Sequence, residues 1–262
     1  MLHILSPPRV DQSDCHKTVM RVRVPAFAWG AILEIRLSAQ RLFFWHVAAI
    51  AVLLAANLAA SLHDRTNGGS SKLFRMAFEA NVPTLFSTAA LAAATAAAWL
   101  LSRASTDKRE TRAWTVFACI LAFMAIDESA QLHEKLNRFG DRGPDSGMFS
   151  SIGVLPYAVV ALALGVFLFR LWLRQSWAVR LGLAGGGLLY VASAIGLELI
   201  QNAERALDVS QLSLHMIALV SAEETGEMLA VAILLRTLLT KLAELGDRYP
   251  LTLRLDASNA RA

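Results

Sequence analysis

Six stretches of this chain are long and apolar enough to reach across about 30 Å of hydrocarbon, which takes roughly 20 helical residues. They fall at Leu42–Leu62, Pro83–Leu101, Ala113–Leu132, Phe149–Leu173, Val179–Ile200 and Leu212–Leu239. Inside a bilayer no water satisfies backbone N–H and C=O groups, so spanning segments are confined to helices and closed barrels. Continuous apolar runs of this length fit helices and not the short alternating strands of a barrel. The expected fold class is therefore all-α, a polytopic membrane helix bundle of about six transmembrane helices. A hydrophobic content of 55% over 262 residues agrees with that class and excludes an ordinary soluble domain.

The basic residues then orient the bundle. With the N-terminus inside, 18 of the 25 Lys and Arg fall on the cytoplasmic side, and seven lie outside: Arg65, Lys72, Arg75, Lys135, Arg138, Arg142 and Arg205. This is the positive-inside bias, and it predicts an N-in/C-in protein of the bacterial cytoplasmic (inner) membrane. The net charge of +4 is accounted for by that sorting, so no nucleic-acid partner is expected. The lipid bilayer is the expected partner, with a homo-oligomer or another membrane protein as the further partner classes.

Three regions follow. Residues 1–41 form a cytoplasmic N-terminal segment, in which "VPAFAWGAILEIRLSAQ" reads either as an interfacial amphipathic helix or as an extension of the first span. Residues 42–240 form the transmembrane domain, and 241–262 a polar cytoplasmic tail. The first 41 residues lack an apolar core followed by a cleavage site, so a cleaved signal peptide is not expected, and Met20 is an alternative start to Met1. Cys15 and Cys119 make no disulfide framework. Gly182, Gly185, Gly186 and Gly187 in "LAGGGLLY" suit close helix packing in lipid.

Acid residues break the apolar pattern. The run "AWTVFACILAFMAI" leads straight into Asp127, Glu128, His133 and Glu134. Glu198 stands near the end of the fifth span, Glu223, Glu224 and Glu227 lie inside the sixth, and Glu79 precedes the second. Spans three and five run outward while two and six run inward, so all eight carboxylates fall in the outer half of the membrane or at its rim. Helical geometry gathers them into stripes: Asp127, Gln131 and Glu134 share one face, and Glu223 and Glu227 are one turn apart. An ionised acid at mid-bilayer costs about 2.5–3.5 kcal/mol on insertion scales, so four of them cost about 10–14 kcal/mol. That rivals a typical total stability of about 5–15 kcal/mol. The acids must be protonated, paired with cations or facing water.

A carboxylate-rich site with an imidazole suits hard or borderline divalent ions: Fe, Mn, Zn, Mg or Ca. Asp127, Glu134, Glu198, Glu223, Glu224, Glu227 and Glu79 are the candidate metal ligands, with Glu128 and His133 as catalytic proton-handling groups. A metal-dependent membrane enzyme acting on a lipid or small apolar substrate would use them so. Intramembrane acids also serve proton- or cation-coupled transport. A third reading is a scaffold or assembly subunit whose polar stripes dock a partner helix. Glu-x-x-His pairs, histidine boxes, zinc-hydrolase motifs and a Gly-x-Ser-x-Gly elbow are all absent from the spans. His46 and His215 read as core or snorkelling histidines, and Asn57 as a candidate for a polar network.

Three segments also carry a resemblance. "EANVPTLFS" at the mouth of span two, "AIDESAQLHEKL" ending span three and "SAEETGEMLA" in span six are similar to an uncharacterised family of bacterial multi-pass membrane proteins. The resemblance covers most of residues 42–240. It implies that Glu79, Asn81, Asp127, Glu128, His133, Glu134, Glu223, Glu224 and Glu227 are signature positions, and it implies no activity.

Overall fold

A computed structural model describes residues 19–25, 32–132 and 154–246. The chain opens with an antiparallel ribbon, β1 (Val19–Pro25) paired with β2 (Ile32–Ser38), in a register that sets Val19 opposite Ser38 and Pro25 opposite Ile32. The helix expected within 24–40 is thus corrected over Val24–Pro25 and Ile32–Ser38. "VRVRV" and "ILEIRLS" alternate apolar and polar residues with the period of a strand, and β-branched residues favour it.

From Ala39 onward the described residues build six helical rods that overlap the six apolar segments, although the third rod stops at Ala130, the last starts at Leu214, and 149–153 lie outside the described residues. They are α1 (Ala39–Asn67), α2 (Val82–Ala104), α3 (Lys108–Ala130), α4 (Val154–Leu173), a fifth rod beginning at Trp177, and α7 (Leu214–Gly246). The fifth rod has three parts: α5 (Trp177–Val191), a π-helical insert (Ala192–Leu197) and α6 (Glu198–Ala206). Four rods, Ala39–Asn67, Val82–Ala104, Lys108–Ala130 and Trp177–Arg205, are long and apolar enough to cross a membrane. In α4 the shorter stretch Leu162–Leu173 is apolar, and α7 interrupts its apolar surface with Glu223, Glu224 and Glu227. By helix length and composition this is a membrane protein.

Local chemistry starts and stops the rods where the apolar runs require. Ser38 caps α1 by accepting from the Arg41 N–H, and Gly68 ends that helix at φ +67°, where a Cβ would be strained. Asn81 caps α2 by accepting from the Thr84 N–H at 3.1 Å, with Pro83 in the first turn. Asp107 caps α3 through the Arg109 N–H at 2.8 Å and pairs with Arg174 at 2.8 Å. The Arg109 amide, helped by Arg174, holds the Asp107 carboxyl below its ordinary value against some loss of hydration.

The core is built on α7. One cluster joins the alanine face of α2 (Ala90, Ala94, Ala98) to Trp114 and Leu121 of α3 and to Val231, Leu235 and Leu238 of α7. A second joins Ile50 and Leu53 of α1 to Met76 and to Val220 and Met228 of α7. Alanine on α2 permits close approach, as helix pairs in lipid prefer. Glycine does the same between the fifth rod and α7. A Cβ at Gly182 would meet Thr237 Oγ1, and one at Gly186 would stand 2.7 Å from Leu234 Cγ. A Cβ at Gly226 would meet Ser193 Oγ. Two of the four glycines read as packing residues are therefore packing residues, while Gly185 and Gly187 face open space. Large apolar side chains such as Trp45, Leu85, Trp99, Leu162 and Leu188 cover the outside.

Candidate functional site

The loop joining α1 to α2 is folded tightly by side chains that reach back to it. Asp64 is buried at the end of α1 and accepts from the Ser71 N–H at 2.7 Å, the Ser71 hydroxyl at 2.8 Å and Arg75 Nη1 at 3.2 Å. Asn57, one helical face below, donates to Ser221 Oγ of α7 at 2.8 Å and accepts the Met76 N–H at 2.8 Å. Asn81 closes the far end by donating to the Arg75 carbonyl at 2.8 Å and to the Phe78 carbonyl. Arg75 also lies over the Phe78 ring at 4.7 Å. These bonds lay Met76, Phe78 and Glu79 over the mouth of the bundle. Ala80, next in the chain, takes the left-handed conformation at φ +57°, a conformation that strains a residue with a Cβ.

Beneath that loop lies a cavity of about 430 Å³. The loop contributes Glu79 to it, and α3 contributes Asp127 and Glu128. The fifth rod contributes Glu198, and α7 contributes Glu223, Glu224 and Glu227. Seven of the predicted site residues therefore line one space, each half-buried and drawn from four separate elements. His133 and Glu134 lie outside the described residues. His46 and His215 do not line the cavity: His46 packs on the Phe86 ring, and His215 sits 3.3 Å from Glu204.

The acids are joined to a polar strand along the fifth rod. Arg205 donates to Gln201 Oε1 at 3.1 Å and to Asn202 Oδ1 at 3.0 Å. Gln201, buried and 1% exposed, then donates from its amide nitrogen to Glu223. A guanidinium can only donate, so the Gln201 carbonyl must face it and the Gln201 amide must face the carboxylate. Arg205 is the one Lys or Arg among the described residues lining the cavity. Among the described lining residues, seven carboxyl groups stand beside this one guanidinium. Among the described residues no group of three or more His, Cys, Asp or Glu stands close enough to hold a single metal ion.

Several participants escaped the sequence reading. Tyr190 lines the cavity from the fifth rod, two residues before the π-helical insert. A tyrosine in mid-span, with a polar tip that needs a partner, was the available signal. Arg75 counts among the external basic residues, yet it is 5% exposed and paired with Asp64. Asn57 does join a polar network, and Asn81, a signature position by resemblance, fastens the loop and does not line the cavity.

No curated protein and no solved structure matches the chain. A family model does match, over residues 42–242, which reach from the first turn of α1 almost to the end of α7 and include every described acid of the cavity. The chain thus belongs to the family of a domain of unknown function, DUF8692.

Proposed function

We propose that this is an inner-membrane protein whose carboxylate-lined cavity, in the outer half of the bilayer, binds a divalent cation and uses it in chemistry on a lipid or small apolar substrate. One observation carries the reading: seven carboxyl groups from four elements line one space. Such a site is neutralised by protons, by a cation or by both, because unbalanced charge inside hydrocarbon is costly. The described donors are oxygens without imidazole, which suits Mg, Ca or Mn better than Zn. Glu223, Glu227, Glu198 and Asp127 are the assigned ligands, drawn together when the ion enters. Glu128 is assigned to proton transfer and Tyr190 to hydrogen bonding with the acids. A bound divalent ion would supply Lewis-acid polarisation of a substrate oxygen.

Elemental analysis of detergent-purified protein tests this beside a Glu223→Gln/Glu227→Gln variant. Near-stoichiometric metal in the parent, lost in a variant that still folds, is the expected result. Metal-free parent protein after reconstitution with Mn, Mg and Ca in turn would remove the reading.

A second reading, proton- or cation-coupled transport, draws on the π-helical insert Ala192–Leu197. It interrupts the regular hydrogen bonding of the rod just before Glu198. Irregular backbone beside an ion-binding acid is a feature of membrane transport sites. Cation-dependent flux in proteoliposomes, abolished by Glu198→Gln, favours transport, and absence of flux with stoichiometric metal favours the enzyme.

A further inference from the structure

We propose that the cleft between the start of α1 and the far part of α7 binds an anionic phospholipid, with the phosphate at Arg236 and an acyl chain along the apolar walls. The inference is independent of the acid-lined cavity and of its metal.

The cleft lies at the end of the bundle where α1 begins. Leu42, Phe43 and His46 of α1 wall it on one side, and Leu235, Arg236 and Leu239 of α7 on the other. Each set follows helical spacing, so two faces meet along the cleft. Leu42, Phe43, His46 and Leu239 are half-buried and Arg236 is exposed, which leaves the cleft open along its length. Arg236 stands about 33 Å along α7 from Leu214. That is close to the hydrocarbon thickness of about 30 Å, so the guanidinium falls at headgroup level. Exposed Trp45, Trp99 and Trp177 lie at the same end, near the start of α1, the end of α2 and the start of α5, as tryptophans at a membrane interface do.

Two polar groups in this apolar cleft point to a ligand. Arg236 lies over the Phe43 ring at 5.4 Å, and among the described residues it forms no ion pair. The nearby Glu244 is already paired with Lys241 at 3.6 Å. A ring against one face of a guanidinium leaves its N–H edge free, and that planar fork matches two phosphate oxygens. His46 lies about 4.5 Å deeper along α1 than Phe43. Its ring packs on Phe86, and its buried Nε2 has no hydrogen-bond partner among the described residues. In a phospholipid the ester oxygens sit just below the phosphate, and one of them is the partner assigned to His46.

The ribbon supports the same ligand. β2 runs directly into α1 while β1 lies against α7, so the ribbon bridges the two rods that form the cleft. Its register sets Arg21 opposite Arg36 and Arg23 opposite Glu34, on one face. Met20 with Leu37, Val22 with Ile35 and Val24 with Leu33 fall on the other. A ribbon with three arginines and one glutamate on one face and six apolar residues on the other suits a membrane surface rich in anionic lipid. A zwitterionic head would bring its ammonium group toward these cations, whereas an anionic head brings none.

The full chain, stripped of lipid in detergent, is titrated with phosphatidylglycerol or with phosphatidylcholine of the same acyl chains, and native mass spectrometry reads the bound fraction. Phosphatidylglycerol should bind tighter by about fivefold or more. Arg236→Gln should weaken it by about fivefold or more, and His46→Leu by about threefold or more, both at an unchanged unfolding midpoint. Arg109→Gln/Arg112→Gln, which removes two cations from α3 at the same end of the bundle, should bind like the parent. Excess inorganic phosphate should leave the lipid in place, because the apolar walls hold its chain. Equal binding of the two lipids, either cleft variant at the parent's affinity, equal weakening in the α3 variant, or displacement by inorganic phosphate overturns the proposal.

Discussion

Asn57 is 2% exposed in the middle of an apolar helix, and its amide ties α1 to Ser221 of α7 and to the Met76 backbone of the loop above the cavity. Removing a partner from buried polar groups costs about 1–3 kcal/mol, because the groups left behind stay dry and unsatisfied. Asn57→Leu should lower stability by that amount in a denaturant or thermal unfolding series in detergent, with Ser221→Ala costing less. A variant as stable as the parent would mean that Asp64 and Asn81 hold the loop without Asn57. At this scale the acids were legible in the sequence and their supports were not. A carboxylate in an apolar run is conspicuous because lipid makes it expensive, and Glu198 or Glu227 needed no partner to be noticed. Asn57 bonds a residue 164 positions away and one 19 positions away. Arg75 likewise reads as a rim cation until the fold brings Asp64 against it. No local pattern encodes such pairings.

Among the elements, the fifth rod departs most from what its residues suggest. The helical wheel applied to Val179–Ile200 assumes about 100° per residue throughout, but the π-helical insert Ala192–Leu197 winds more slowly. Tyr190 and Glu198, on either side of the insert, both line the cavity. An apolar run such as "ASAIGL" looks alike whether it is α or π, so the insert left no mark in the composition. Adding one alanine after Leu197 should rotate Glu198 and the residues beyond it by about 100° relative to Tyr190. The lengthened protein should still fold, yet retain about tenfold less metal than the parent. Equal metal content in the two proteins would show that the direction of Glu198 plays no part in holding the ion. The ribbon was missed for a different reason. Its alternation is plain in "VRVRV", but proximity to a spanning helix invited a helical reading.

Across the whole molecule, the apolar segments fall on helical rods, four of them long and apolar enough to cross a membrane, because burying backbone in lipid leaves few options. The orientation expected from where Lys and Arg fall predicts which loops a reagent can reach. Single cysteines replacing Lys72 and Lys108, in a Cys15→Ser/Cys119→Ser background, should differ by about tenfold or more in labelling by an impermeant maleimide on whole cells. Lys72, in the loop above the cavity, should react from outside, and Lys108, at the start of α3, only after lysis. The reverse order would turn the bundle over and place the acids next to the cytoplasm. Convergence of acids from distant segments was also foreseeable at this scale, since each stripe has only lipid or another stripe to face. The loop that covers them was not.

The glycine contacts between the fifth rod and α7 have a mechanical consequence. Gly182, Gly186 and Gly226 let these two helices meet with no slack, so neither can slide or swivel without striking Thr237, Leu234 or Ser193. The backbones that carry Glu198 and Glu223, Glu224 and Glu227 are therefore set at a fixed spacing, like marks on a ruler, so only their side chains swing together when an ion enters. Any breathing of the cavity falls to the opposite wall, where Gly165 of α4 meets no such stop among the described residues.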